Sequence, residues 1–322
     1  MNKIDFFEHE LPCTPIEKLS GQYSDNTIYM KRDDLLPFSF GGNKVRKAAE
    51  FYREIQDRNV DIVMTYGSNS SNHCRIIANM AASMGLPCHI ISPSENREVL
   101  YNTSLVEKFG ATIETCPVDE VAMTIEKRKD AYRKKGLNPY FIVGGGHGNP
   151  GTEAYVKAYK EIKEQEREKG IHFDYIIHAS GTGATQAGLV CGQLLDADTS
   201  TRIVGISIAR EGKRGREVVL DSIREYMGDR FEQQYRDEAL DFEDQYRCGG
   251  YGNYTDEIQE LIDQVMLRDG VPMDTTYVGK AFWGMCKYLE SRGIHEKNIL
   301  FLHTGGTPLY FDRLQITERH GN

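Results

Sequence analysis

Lys44 is the side chain best placed by its neighbours to do covalent chemistry. It stands in Phe40-Gly41-Gly42-Asn43-Lys44-Val45-Arg46-Lys47, where a loop gives way to a helical pattern. The two glycines let another group approach the backbone closely. A cation at the positive end of a helix is mildly disfavoured. The spacing therefore predicts an amine held partly neutral, the species that Schiff-base chemistry needs. Lys47, three residues on, shares the helix face and can reach an anionic ligand. A lone lysine at a helix start is ordinarily a solvated surface residue, so the rest of a site must be found elsewhere.

Two further loops supply it. Ser180-Gly181-Thr182-Gly183-Ala184-Thr185-Gln186 follows an apolar run and opens a helical one. Converging backbone N–H groups and a helix N-terminus make this a place for a phosphate. A dinucleotide fingerprint needs a third glycine where Gln186 stands. A nucleotide-binding P-loop needs Lys-Ser/Thr after its last glycine, yet Leu189 and Val190 follow Gly188. A phosphate monoester fits better than a nucleotide; a tight turn without a ligand is the alternative for this loop taken alone. The other loop, Tyr66-Gly67-Ser68-Asn69-Ser70-Ser71-Asn72-His73, carries six hydroxyl or amide side chains in eight positions. Together with a helix N-terminus they can hold a carboxylate or a phenolate. Helix capping by Ser71 or Asn72 accounts for only one of them.

In order, the chain contains Lys31-Arg32-Asp33-Asp34, Gly41-Gly42-Asn43-Lys44, Ser71-Asn72-His73, Gly144-Gly145-Gly146, the 180–188 loop, Gly250-Tyr251-Gly252, Tyr277 with Gly279-Lys280-Ala281, and His303-Thr304-Gly305-Gly306-Thr307-Pro308. This ordered set, running from Thr14-Pro15-Ile16 almost to the end, resembles the pyridoxal-phosphate enzymes of the tryptophan-synthase β-like fold (fold type II). Within them it is most similar to the D-cysteine desulfhydrase and 1-aminocyclopropane-1-carboxylate deaminase family. The resemblance implies pyridoxal 5'-phosphate as cofactor, with Lys44 bonding to it and moving the α-proton. It implies that Gly181, Thr182, Gly183, Ala184, Thr185 and Lys47 hold the phosphate. Asn72 would bond the ring hydroxyl and Thr304 would face the pyridine nitrogen. Ser71, Asn72 and His73 would line the substrate carboxylate, and Tyr251 and Tyr277 would flank the reacting carbon. Two departures concern the substrate. Val278 stands where the deaminases carry glutamate and the desulfhydrases threonine, and His147 stands where a small polar residue is usual.

The expected reaction is α,β-elimination on a small amino acid with a Cβ leaving group, D-cysteine-like, giving pyruvate, ammonia and the leaving group. A β-replacement synthase and a 1-aminocyclopropane-1-carboxylate deaminase are the alternatives. The retained Lys44, Ser71, Tyr251 and Tyr277 argue against a binding protein without catalysis.

Positioning these loops requires an alternation of strands and helices. Strand patterns occur at 62–66, 89–91, 111–115, 140–143, 175–177, 203–208 and 299–302; helical patterns occur at 74–84, 99–109, 121–135, 152–169 and from 185. Such alternation implies right-handed crossovers and mainly parallel, twisted sheets covered on both faces. The strands are too many for one sheet, so two αβα domains are expected. Residues 1–50 plus 150–322 would form a larger cofactor-binding domain, and 51–149 a smaller substrate-side domain. Gly144 to Gly151 reads as a flexible crossing between them. With 322 residues, a net charge of −9, 39% hydrophobic and 27% charged residues, the chain reads as globular. The charge disfavours a nucleic-acid partner, and no apolar run reaches the ~18–20 residues of a membrane span. Met1 to Glu8 lacks an apolar signal core. The seven cysteines include no CxxC, so neither a disulfide framework nor a common zinc site is expected. A cytoplasmic homodimer acting on a small amino acid is the resulting expectation.

Overall fold

The computed structural model describes residues 6–94 and 99–314. Residues 1–5 of the N-terminal stretch read above lie outside them. Strands β1 (Ile16–Lys18) and β2 (Thr27–Arg32) precede helix α1 (Asn43–Gln56). Next come β3 (Ile62–Tyr66), α2 (Asn72–Met84), β4 (Cys88–Pro93), α3 (Tyr101–Lys108), β5 (Thr112–Cys116), α4 (Val121–Lys134) and β6 (Pro139–Ile142). The chain continues through α5 (Asn149–Lys169), β7 (Tyr175–Ser180), α6 (Ala184–Leu195), β8 (Arg202–Ser207), α7 (Gly212–Met227), the single turn α8 (Phe231–Gln234) and β9 (Asp241–Glu243). It closes with α9 (Asp256–Asp269), α10 (Val278–Ser291), β10 (Asn298–His303) and α11 (Thr307–Asp312).

The strands form two sheets. One has the order β5-β4-β3-β6 and the other β1-β2-β10-β7-β8-β9. All neighbours are parallel except β1 against β2. Ile203, Val204, Ile206, Ile299, Leu300, Phe301 and Leu302 are all buried. Continuous apolar runs of this kind belong to parallel strands covered on both faces. One face of the six-stranded sheet packs Val265, Phe282, Met285 and Leu289 from α9 and α10. The other packs Tyr155, Tyr159, Val190 and Val219 from α5, α6 and α7.

Helix α1 buries Val45, Ala48, Ala49 and Tyr52, the spacing of one helical face. That face joins the core of the four-stranded sheet with Val63, Ile77 and Ile90. α1 therefore runs across residue 50, where a boundary was expected. Buried charge fixes its other side. The Arg46 guanidinium grips both oxygens of Asp33 (2.8 and 3.0 Å) and reaches Glu161 at 2.8 Å, tying α1 to β2 and α5.

Two expectations need correction. The 144–151 stretch is not a slack crossing. Val143 bridges to His147, the Gly146 N–H donates to the Val143 carbonyl, and a Cβ on Gly151 would lie 1.9 Å from the Gly146 oxygen. Its glycines are there for close packing. Helix α5 begins at Asn149, earlier than the pattern implied, because Pro150 suits the first turn of a helix.

Candidate active site

A cleft of about 520 Å³ opens where the carboxyl ends of both sheets face one another. This is the usual ligand position in open α/β sheets. Lys44, Ser71, Asn72, His73, Gly181, Thr182, Gly183, Thr185, Tyr251, Tyr277 and Thr304 all border it. Lys47 and Ala184 are buried behind the wall rather than in it.

Lys44 is carried by the first turn of α1. The Gly42 N–H donates to the Asp33 carbonyl at 2.7 Å and the Asn43 N–H to the Thr304 carbonyl at 3.0 Å. Gly42 and Gly305, both at φ near +100°, pass so closely that a Cβ on Gly305 would meet the Gly42 Cα at 2.7 Å. No other residue fits such a backbone-to-backbone contact at that φ. The loop before Lys44 is thereby locked to the loop after β10. Burial pulls the Lys44 amine down to about 8, opposed only by its hydrogen bond to Lys47. The depressed basicity was anticipated from the helix end, but burial is its main cause. Lys47 is held well below its ordinary value by burial and by Lys44, and donates to the Gly145 carbonyl at 3.2 Å.

The 181–185 loop joins β7 to α6. Asn43 donates its side-chain N–H to Thr185 Oγ1 at 3.1 Å, which leaves the threonine hydroxyl free to donate into the cleft. The first N–H groups of α6 have no intrahelical acceptor and open on the same space. Gly183, at φ +101°, opens α6 with Val218 and Val219 of α7 close by; a Cβ there would press on Val219 at 3.2 Å. The positive φ, with close packing on α7, disfavours a side chain at Gly183.

On the opposite wall, Ser71 caps α2, its Oγ accepting from the Cys74 N–H at 3.1 Å. Asn72 Oδ1 accepts from Arg75 (2.7 Å) and from Asn102 (3.1 Å), which turns its amide N–H₂ the other way. Thr65 donates its hydroxyl to the Ile142 carbonyl, so His73 Nε2, 2.7 Å away, is the donor in that pair. Burial, with Lys44 and Lys47 nearby, keeps His73 neutral and well below its ordinary pKa. Arg75 and Asn102 have no motif of their own; only the fold reveals them as supports of Asn72.

Tyr251 and Tyr277 share a very short hydrogen bond. Tyr251 also bonds Ser70 Oγ at 3.0 Å and Ser68 Oγ at 3.3 Å. The 247–252 loop is thus tied across the mouth to the loop before α2. Lys280 braces that loop with bonds to the carbonyls of Ile208, Arg247 and Gly250. Burial and then Tyr251 push the Tyr277 phenol well above its usual pKa. Asp274 accepts from the backbone N–H groups of Thr276, Tyr277 and Val278 and so fixes the start of α10. Val278 itself is fully buried in the α9–α10 core and does not border the cleft. Among the described residues, no aspartate or glutamate lines the cleft. His147 lies behind the 181–185 loop, its Nδ1 3.2 Å from the Thr182 carbonyl and its Nε2 3.4 Å from Ser222 Oγ.

The donor set around the cleft fits pyridoxal phosphate: one amine of lowered basicity, a helix N-terminus with a threonine hydroxyl able to donate, and an amide N–H₂. Comparison with known proteins gives the same class. The profile of the family described as pyridoxal-phosphate dependent enzyme matches residues 4–305, so the chain belongs to that family. It is 31% identical over 317 residues to a Pyrococcus abyssi protein provisionally named 1-aminocyclopropane-1-carboxylate deaminase, covering 96% of this chain and 93% of that one. It is 32% identical to D-cysteine desulfhydrase of Serratia proteamaculans, covering 93% of each chain. The crystal structure of an ACC deaminase homologue superposes with a TM-score of 0.83 at 30% identity, over 97% of this chain and 98% of that one. The chain is a pyridoxal-phosphate-dependent lyase of fold type II, in the deaminase–desulfhydrase group. No helix among the described residues is long and apolar enough to cross a membrane.

Proposed function

We propose that this enzyme eliminates a leaving group from Cβ of a small amino acid, D-cysteine or a close analogue, releasing pyruvate, ammonia and the leaving group. The observation that carries this reading is a weakly basic Lys44 and a Tyr277 held protonated, both bordering a cleft without carboxylates among the described residues. When bound, pyridoxal phosphate supplies the electron sink for the carbanion at Cα. The remaining work falls to side chains of this chain. The neutral Lys44 amine takes the proton from Cα. Ser71, whose oxygen is engaged at the helix cap, keeps its hydroxyl proton for the substrate carboxylate, and the N-terminus of α2 adds its positive end. Asn72, turned by Arg75 and Asn102, presents its N–H to the ring hydroxyl. Tyr277, held protonated by burial, gives a proton to the departing sulfur, and Tyr251 shares the hydrogen bond. The Tyr251–Ser70 link shields the reacting carbon from bulk water. The cytoplasm and a homodimer are part of the same proposal.

Opening of the cyclopropane amino acid is the second reading, favoured by the names of the Pyrococcus relative and of the solved homologue. The cleft supports it less well. A carboxylate near the pyridine nitrogen would stabilise the protonated, electron-withdrawing ring, whereas Thr304 offers a neutral hydroxyl. Assay of pyruvate from D-cysteine, with and without added thiols or amines, tests elimination. Loss of pyruvate to a new amino acid when thiol is added would instead indicate β-replacement.

A further inference from the structure

The 181–185 loop supplies hydrogen-bond donors but no side-chain charge, while a phosphate monoester carries about 1.5 to 2 negative charges near neutral pH. Lys44 is reserved for the covalent bond, and the Lys47 amine is buried behind the wall. One more cation borders the cleft: Arg210, which follows β8. Pairing of Ser180 with Ser207 aligns the ends of β7 and β8, and the Ile208 N–H donates to the Ser180 carbonyl. Residues 208–210 therefore run directly beside the 181–183 turn. Ser207 fixes the segment, donating its hydroxyl to the Arg210 carbonyl at 2.7 Å and accepting from the Ala209 N–H.

The Arg210 guanidinium lacks what a half-buried arginine normally has. Its Nη1 is buried with no hydrogen-bond partner. Among the described residues no carboxylate pairs with it. Burial and the like charge of Arg214 both act against its ionised form. Nearby acids are engaged elsewhere: Asp244 accepts from the Gly212 N–H and Glu211 pairs with Arg247. Helix α7 adds Lys213 and Arg214 near its positive end with no acid in its first turn, while Arg216 is paired with Asp237. An unpaired guanidinium beside a helix N-terminus is suited to a tetrahedral oxyanion.

We propose that Arg210 binds the phosphate of the cofactor from the β8 side and supplies the positive charge that the glycine loop lacks. This rests on the reading of 181–185 as the phosphate loop, and the reference variant Thr185→Val keeps the two separable. Apoenzyme is titrated with pyridoxal phosphate and with pyridoxal, following cofactor absorbance, for wild type, Arg210→Lys, Arg210→Gln and Thr185→Val, with thermal melts of each apoprotein. Loss of a charge-assisted hydrogen bond should weaken pyridoxal phosphate roughly tenfold or more in Arg210→Gln. Pyridoxal affinity and the apoprotein melt should stay unchanged, and Arg210→Lys should fall between. Equal weakening of both aldehydes, or none, overturns the proposal. Unchanged cofactor affinity with a raised KM for a substrate bearing an anionic side chain, such as cysteate, also overturns it by giving Arg210 to the substrate. If Thr185→Val leaves the preference for the phosphorylated aldehyde intact as well, the loop reading itself fails.

Discussion

Lys44 combines two requirements that pull apart, since a lysine must be buried to be a usable amine and burial costs stability. Borohydride treatment of the holoenzyme followed by peptide mapping should place the pyridoxyl adduct on Lys44; an adduct on Lys47, Lys31 or Lys280 would remove it from this role. The cost is measurable in the apoprotein. The folded-state pKa is about 8 against an ordinary value of 10.5, so the unfolded chain binds more protons between those limits. Lys44 therefore destabilises fully below about pH 8, and the penalty fades as pH rises towards 10.5. Relative to wild type, Lys44→Met should gain stability on the order of 3 kcal/mol below pH 8, shrinking above it. Denaturant unfolding at pH 7 and pH 10 checks this, and a gain that does not change with pH would contradict burial as the cause. At this scale the sequence is partly legible. Lys44, Ser71 and Asn72 stand out because glycines and capping residues mark them. Arg75 and Asn102 do not, because their contacts join segments whose spacing follows no local pattern. Arg210 lies in no motif at all.

The site's elements are strand ends and helix starts, and these can be read where hydropathy and glycine coincide, as at β3–α2 and β7–α6. Strand β2 escapes such reading because it ends in Lys31 and Arg32, charged residues whose burial depends on partners outside the strand, Glu161 and Gln165 for Lys31 and Asp34 and Glu17 for Arg32. Helix α9 escapes because Ile258, Ile262 and Val265 are its only buried positions among many charges. Two predictions belong here. Asp274→Ala leaves three N–H groups at the start of α10 without their acceptor. It should cost about 1–2 kcal/mol, and by loosening Tyr277 it should lower kcat more than it raises KM. A variant with wild-type kcat would separate the cap from catalysis. Gly183→Val forces a positive φ on a β-branched residue against Val219. Its strain, about 1–3 kcal/mol, should appear as a lower apoprotein Tm as well as weaker cofactor binding. An unchanged Tm would mean that the α7 contact is loose.

For the molecule as a whole, two αβα layers were legible from alternation alone, since parallel strands and crossovers leave few other arrangements. The chemistry between them depends on which charges the fold brings to the cleft, and spacing does not reveal that. The substitution at Val278 illustrates the difference. Read in sequence, it removes a carboxylate from beside the ring. In the structure, Val278 is sealed in the α9–α10 core, so Val278→Glu should lower the unfolding midpoint by burying an unpaired carboxylate rather than create a deaminase. The proposed substrate preference rests on the acid-free cleft and on Tyr277 held protonated. These suit departure of a thiolate from Cβ and not the opening of a carbon–carbon bond in a substrate without an α-hydrogen. The most direct test compares kcat/KM for D-cysteine and for 1-aminocyclopropane-1-carboxylate on one preparation of holoenzyme. A clear preference for D-cysteine, with pyruvate and sulfide released in equal amounts, is the predicted result; a preference for the cyclopropane amino acid would contradict the account.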